Sequence, residues 1–551
     1  MNSTKITVKQ GILCGKKELL PNGKPFSIFL GIPYAKPPVR ELRFRSPQKI
    51  IQFDRFELDC TSEGDACFQK SPLTRKYVGS ENCLNLNVYV PFQENPLNKL
   101  AVMVYIHGGA MKYDSNSRTL YSPEYLVMEN VIVVVINYRL HALGFMYMPS
   151  MGISGNAGMK DQQMALEWIY ENIESFGGNQ QKICLFGESA GAACVNFHLL
   201  NAKSRKFINT MILQSGSAMC EWNFQGLAES TALELAKIVG CKGDSIEDAY
   251  NTLMTVPVKE LYDNCDHVLT EEEENTGYRK KWRTVIEEES DDAFITQTSL
   301  DAIINQAGEF SIPIIIGGNN GDGMPLVARI LSQKKLPLYD RLLAYFIPRS
   351  IQNLTYDEIE EIQREIRDFY FSGKALTNEN VEHLMNLLTD AEYLFPLTVS
   401  SELHARYHPK MKQFLYEFQF DGQLNIQKKQ MKMEKIKLAS HADDVFYFFG
   451  GYLVDKVILQ SDSREVKMRN ILCKLWTNFA KYGDPTPDHD NPVPFKWTPL
   501  LPIEANQTEI TLDYLVINDD MKMARNLNKE RMDFWRKIYR KHNEKFIRSR
   551  L

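Results

Sequence analysis

The 551-residue chain has no run of apolar residues long enough to cross a membrane; Val131–Ile136 has the length of a core strand. The opening Met1-Asn2-Ser3-Thr4-Lys5-Ile6-Thr7 lacks the basic and apolar regions of a secretory leader, and Ile547-Arg548-Ser549-Arg550-Leu551 is not an ER-retention signal. The expectation is a cytoplasmic protein with no transmembrane segment. There is no excess of one charge: 64 Lys and Arg stand against 69 Asp and Glu, a net of −5, so nothing suggests a nucleic-acid partner. Internal repeats, low-complexity tracts and long linkers are absent. No cluster of His or Cys has metal-ligand spacing, so neither a metal nor a cofactor is expected. Acidic stretches at Glu271-Glu272-Glu273-Glu274 and Glu287–Asp292 read as solvated loops. The basic C-terminal stretch Arg531–Arg548, interleaved with Phe534, Trp535, Ile538 and Tyr539, reads as a terminal helix packed on the body, with a membrane-surface role as the weaker option.

What is present is a core supply of 44% hydrophobic residues and one short motif with a mechanism. The apolar run Ile183-Cys184-Leu185-Phe186 leads into Gly187-Glu188-Ser189-Ala190-Gly191 and then into the small-residue helix start Ala192-Ala193-Cys194-Val195. A strand, Gly-x-Ser-x-Gly and a helix make a nucleophile elbow: the turn is too sharp for side chains at the flanking glycines, and it holds the serine strained and exposed. The bare pattern occurs by chance in many proteins, so its surroundings decide.

Upstream, the apolar strand Leu100–Ile106 ends in His107-Gly108-Gly109-Ala110. Glycines let backbone N–H groups approach a substrate, and such fixed dipoles stabilise the negative oxygen of a tetrahedral intermediate without reorganising. The elbow supplies one such donor, the N–H of Ala190, and the His-Gly-Gly loop supplies the others; the neighbouring Met111 is assigned to the substrate pocket. With an elbow the acid and base follow the serine in the order Ser, acid, His. Of the downstream histidines, His441 sits in a loop signature, Ala439-Ser440-His441-Ala442-Asp443-Asp444, ahead of an aromatic stretch; the others read as surface or helix residues in polar surroundings. The acid candidate is Asp322, in the loop after the strand-like Ile312–Gly318, where a carboxylate can take the Nδ1–H of His441 and fix its tautomer. Asp443 and Asp444 are rivals, awkwardly close to His441 along the chain.

Taken in order, these segments resemble the type-B carboxylesterase/cholinesterase family along nearly the whole chain. The N-terminal signature is similar to Phe29–Val39 followed by Leu42-Arg43-Phe44, and the second to Ser80–Tyr89. Gly155–Gly158, Asp161-Gln162, Ala165–Trp168 and Phe176–Asn179 look like the approach to the elbow, and Phe479–Pro487 like the C-terminal helix exit. Gly216–Trp222 and the short loop after Cys67 look most like the insect α-esterase branch. The resemblance implies an α/β-hydrolase fold, a large mostly parallel sheet flanked by helices, in one domain spanning 1–551, with insertions forming an active-site gorge. It implies Ser189 as nucleophile, Asp322 as acid, His441 as base, the N–H groups of Gly109, Ala110 and Ala190 as oxyanion donors and Trp222 in the acyl pocket. Ser215 aligns with a serine near the acid, Arg43 and Glu81 with a structural ion pair, and Glu188 with a residue whose role stays open. Secreted relatives pair the positions of Cys67 and Cys83; in a reducing cytosol these are expected to be adjacent thiols. Cys241 has lost its mate.

Two departures bear on chemistry. Asp322 stands where the family has Glu, and Ala110 replaces a third glycine, its methyl narrowing the site. The reading is a serine esterase acting on small-molecule carboxylic esters, lipophilic or xenobiotic ones included. Its alternatives are a slow-turnover binder that sequesters esters or organophosphates, and a non-catalytic interaction protein. A cholinesterase is disfavoured, because the span Phe68–Asn82 offers only Phe68 and Tyr77 as aromatic faces for a quaternary ammonium. The sequence does not give an oligomeric state.

Overall fold

The computed structural model describes residues 3–543 except 96, 227–228, 271–280, 352, 505–506 and 508–509. Its frame is a 13-stranded sheet. The middle of that sheet is seven parallel strands: β1 (Leu100–Ile106), β2 (Ile132–Ile136), β3 (Gly178–Glu188), β4 (Thr210–Gln214), β5 (Ile314–Asn319), β6 (Gln413–Phe418) and β7 (Asp513–Ile517), in the spatial order β2-β1-β3-β4-β5-β6-β7. Antiparallel strands complete it on both sides, with Asn85–Pro91 against β2 and Lys522–Arg525 against β7.

The sequence of the middle strands explains their burial. Val102, Val104 and Ile106 enter one hydrophobic core while Met103 and Tyr105 enter the other, and β2 divides in the same way, with Val134 and Ile136 on one face and Val133 and Val135 on the other. A strand covered on both faces reads as a continuous apolar run rather than as alternation. The helix Ala157–Asn172 and α1 (Ala190–Leu200) supply one cover; the helix Arg464–Tyr482, through Leu472 and Trp476, supplies the other.

Strand order sets the place for a site. β1 lies between β2 and β3, so the chain leaves β1 to one side and returns on the other. The loops after β1 and β3 therefore part at their C-terminal ends and open a crevice, the usual binding position in open α/β sheets. The His107-Gly108-Gly109 loop and Ser189 both emerge there.

Several expectations change in detail. Glu287 is not a solvated loop residue: it is buried, its Oε1 lies 2.7 Å from Lys160 Nζ, and its Oε2 accepts from Asn156 and the Phe294 N–H. The cation and these donors replace the water that the carboxylate loses. Glu271–Glu274 lie outside the described residues. His404 is on a helix and His408 directly follows it, and both are buried beside the Phe310 ring, not in polar surroundings. Cys67 and Cys83 come together as expected, with Cα atoms 4.8 Å apart, but they form a disulfide rather than two thiols. Their backbones stand within the spacing a disulfide spans, so no rearrangement opposes the bond. The helix Lys529–His542 packs on the body through Met532, Trp535 and Ile538. Its cations are engaged along the rim: Lys529 and Arg536 with Asp533, Lys537 with Glu365 and Lys541 with Glu361. No helix among the described residues is long and apolar enough to cross a membrane.

Candidate active site

Ser189 sits between β3 and α1 with φ 57° and ψ −125°, a region L-residues avoid and one that persists only under firm constraint. The constraint is the packing of its neighbours. A Cβ on Gly191 would lie 2.1 Å from the Ile106 carbonyl oxygen, and one on Gly187 2.7 Å from the same atom. Both glycines are thus required by contact with β1, and the Ser189 N–H is tied to Gln214 O at 2.8 Å. The serine is partly exposed while both chain neighbours are buried.

The loop after β1 runs against the elbow: a Cβ on Gly108 would come within 3.1 Å of Ser189 Cβ. Gly109, Ala110 and Met111 follow with φ of 82°, 55° and 55°. Three consecutive positive-φ residues make a tight turn beside Ser189, closed by the Lys112 and Tyr113 N–H groups on Gly109 O. Among the described residues, the N–H groups of Gly109, Ala110 and Ala190 make no hydrogen bond in the loops, turns and caps. His107, on the far side of the loop, is buried against the Tyr138 ring; burial lowers its pKa to about 4 and keeps it neutral. Met111 is fully buried beneath the loop.

His441 Nδ1–H donates to Asp322 Oδ1 at 2.9 Å. Asp322 is buried, and its second oxygen accepts the Asn319 N–H at 3.0 Å, which fixes the carboxylate against the end of β5. The rival acids are committed elsewhere. Asp443 accepts from the N–H groups of Gln427 and Ser440, and Asp444 from the side chains of Gln214 and Asn319. Asp322 reaches the imidazole from a position three residues beyond β5. Ser215, φ 54°, is buried near this acid: a Cβ on Gly318 would lie 2.6 Å from Asp322 Oδ2 and 3.4 Å from Ser215 Oγ.

The other imidazole nitrogen faces a second carboxylate. His441 Nε2 lies 3.1 Å from Glu188 Oε1, yet that oxygen has no aligned donor. The attraction is ionic and holds for the imidazolium; the neutral imidazole, with its proton on Nδ1 toward Asp322, presents an Nε2 lone pair. Burial pushes the Glu188 carboxyl up to about 8. For His441 burial opposes the charge, but Glu188 and then Asp322 outweigh it and hold the imidazolium up at about 9. Two groups this close share their protons as a pair.

Trp222 enters by an aromatic relay. Its indole N–H donates to Glu392 O at 2.9 Å, its ring centroid is 6.0 Å from Tyr393, and Tyr393 in turn lies 4.6 Å from the His441 ring. Tyr393 carries no motif and was not anticipated. It reaches the site from Asp390–Leu394, a π-helical turn, whose extra residue rotates side chains out of helical register, so periodicity gives no signal for it. Arg43 and Glu81 form the expected structural ion pair, Nη2 to Oε1 2.5 Å, and Arg43 Nη1 also donates to the carbonyls of Leu253 and Val256. Cys241 is a free thiol, and no group of His, Cys, Asp and Glu suited to a metal occurs among the described residues.

Comparison with known proteins follows the same lines. The profile of the carboxylesterase family matches residues 2–535. A juvenile hormone esterase of Tribolium castaneum is 30% identical, over 97% of this chain and 93% of its own. Esterase B1 of Culex pipiens is 26% identical over 98% of each chain. Among solved structures, the juvenile hormone esterase of Manduca sexta with OTFP covalently attached superposes with a TM-score of 0.83 at 25% identity, covering 98% of this chain and 99% of that one.

Proposed function

The chain belongs to the carboxylesterase family and is a carboxylic-ester hydrolase with the α/β-hydrolase fold; on that premise we propose that Ser189 is the nucleophile of a reaction that passes through an acyl-enzyme. The observation that carries this reading is the convergence of a strained serine, a histidine oriented by a buried carboxylate and a run of left-handed backbone at one crevice.

In the proposed cycle Ser189 Oγ attacks the acyl carbon as its proton passes to His441 Nε2. Asp322 holds the Nδ1–H and stabilises the imidazolium. The carbonyl oxygen becomes negative opposite the N–H groups of Gly109, Ala110 and Ala190. The intermediate collapses, the C–O bond to the alcohol breaks, and His441 returns the proton to the leaving oxygen. Water then attacks the Ser189 acyl ester with His441 again as base, the acid departs and the serine is restored.

Aromatic rings near His441 favour lipophilic esters, xenobiotic ones included, as the proposed substrates. Trp222 and Tyr393 offer apolar rings beside the base, with the indole N–H already satisfied. The cation-attracting faces are spent within the protein: Lys70 and Lys259 sit 4.9 and 4.6 Å from the Tyr77 centroid, and Phe68 stacks on the same ring. That is a poor receptor for a choline headgroup.

The test is Ser189→Ala with p-nitrophenyl esters of increasing acyl length. The pure variant is expected to keep the fold and lose turnover and the acyl-enzyme burst. Retained turnover would place the nucleophile elsewhere. Wild-type turnover after the burst separates an esterase from a sequestering binder, which would stop at one equivalent.

A further inference from the structure

The Gly109–Met111 run poses a mechanical problem. Left-handed conformations at non-glycine residues are strained and survive only where neighbours over-determine them; here Ala110 and Met111 adopt them in succession. The loop's own contacts are local: the N–H groups of Lys112 and Tyr113 both return to Gly109 O, at 3.0 and 3.2 Å. Two outside anchors complete the restraint.

One anchor is the disulfide-closed segment. Gln69 grips the loop end in a two-way clasp, its Nε2 donating to Asp114 O and its Oε1 accepting the Asp114 N–H, each at 2.6 Å. The other anchor is ionic. Lys112 directly follows Met111 and pairs with Asp266. Asp266 Oδ1 also lies 3.5 Å from His141 Nε2, and the His141 N–H donates to Met111 O at 2.7 Å. One carboxylate therefore touches the residue after the run and the residue that binds its last carbonyl. Asp266 is itself held, because the Trp282 indole donates at 2.9 Å to the carbonyl of the adjacent Cys265.

We propose that Asp266 is a positioning residue for ester hydrolysis: through Lys112 and His141 it fixes the Gly109–Met111 backbone so that its N–H groups meet the oxygen that becomes negative. The proposal rests on the assignment of those groups as oxyanion donors. An exposed ion pair ordinarily stabilises a fold by very little. This one is half-buried, Lys112 being 22% and Asp266 37% exposed, and it is joined to a strained segment whose displacement reads out in rate. Burial lowers the pKa of His141 to about 4, so Lys112 is the cation of the cluster at neutral pH. Asp266 touches neither substrate nor Ser189, and it acts only by where it holds the loop.

The experiment compares wild type with Asp266→Asn, Lys112→Met, the double variant and Lys112→Arg. Each is assayed for kcat and KM on a short ester and for the Ki of a trifluoromethyl ketone, whose adduct with the serine carries the tetrahedral oxygen. Displacement of reacting groups by about 1 Å costs on the order of 100-fold in rate. Asp266→Asn and Lys112→Met are expected to lose roughly 10- to 100-fold in kcat with KM within about twofold, and to weaken the ketone by the same factor. The double variant should be no worse than Asp266→Asn alone, because that variant already removes the charge that Lys112 pairs with. Lys112→Arg should restore most of the rate. Unchanged kcat and Ki in folded Asp266→Asn, even with a lowered Tm, would overturn the proposal. Should that variant fail to fold, Lys112→Met against Lys112→Arg decides: equal rates refute the ionic anchor. A ketone that binds Ser189→Ala as tightly as wild type would instead refute the underlying active-site assignment.

Discussion

Replacing Glu188 by Gln removes one negative charge 3.1 Å from His441 Nε2 while keeping the shape of the side chain. The wild-type imidazole is held up at about 9, with Glu188 the leading support for its charged form and Asp322 the second. A base must be neutral to accept the serine proton, so activity is expected to rise with pH along a limb set by the Glu188–His441 pair, whose carboxyl is itself raised to about 8 by burial. The sign follows directly: a nearby carboxylate favours the imidazolium, so its loss lowers the histidine pKa. Opposite charges at this range shift a pKa by about 1–3 units, roughly 1.4–4 kcal/mol. Asp322 remains, so the limb should move toward the ordinary histidine range without falling far below it. The assay is kcat/KM for a short p-nitrophenyl ester from pH 5 to 10, with enzyme integrity checked at each pH. Glu188→Gln should gain relative activity near pH 6–7 and reach its plateau earlier. A limb that stays in place, or moves to higher pH, would refute the ionic coupling and leave Glu188 as packing beside the elbow.

Other outcomes follow from the same geometry. Asp322→Asn should lower kcat by roughly 10³- to 10⁴-fold with little change in KM, because the amide favours the wrong tautomer at Nδ1; a drop under tenfold would give the orienting role to another carboxylate. Ala110→Gly removes a methyl from the oxyanion loop and relieves a left-handed alanine, and is expected to raise kcat/KM for branched bulky esters more than for acetate; an unchanged ratio would take Ala110 away from the reacting carbon. Thiol alkylation of freshly lysed cells, read by mass spectrometry, should leave Cys67 and Cys83 unlabelled and joined; finding both alkylated would restore the expectation of thiols in a reducing compartment.

The parts of the site that are local in sequence were legible, and the parts made by packing were not. The elbow could be read because the glycines at 187 and 191, the serine and the flanking strand and helix all fall within a few residues. The parallel strands could be read from apolar runs such as Ile132–Ile136. Asp322 could be singled out only by its position after a strand, and its pairing with His441 needed the fold to bring β5 and the loop after β6 together. Tyr393 was hidden by the π-helical turn. The burial of Glu287 was hidden because an acidic run looks alike in solvent and beside Lys160; only the tertiary partner distinguishes them. The Lys112–Asp266 pair joins residues with no sequence relation at all.

The crevice takes its proposed reacting groups from the ends of β1, β3 and β5 and from the loop after β6, stretches scattered from residue 106 to residue 441. Such long-range meetings are slow steps in folding, since the loops between them must close first. A nascent or partly folded chain can form the elbow, but it cannot give the serine its base. Reactivity toward a fluorophosphonate should therefore appear late, together with the last sheet pairings, while helical signal and compactness appear early. The same reagent then counts only molecules that have finished folding, and the enzyme stays chemically inert while its apolar strands are still exposed to other chains.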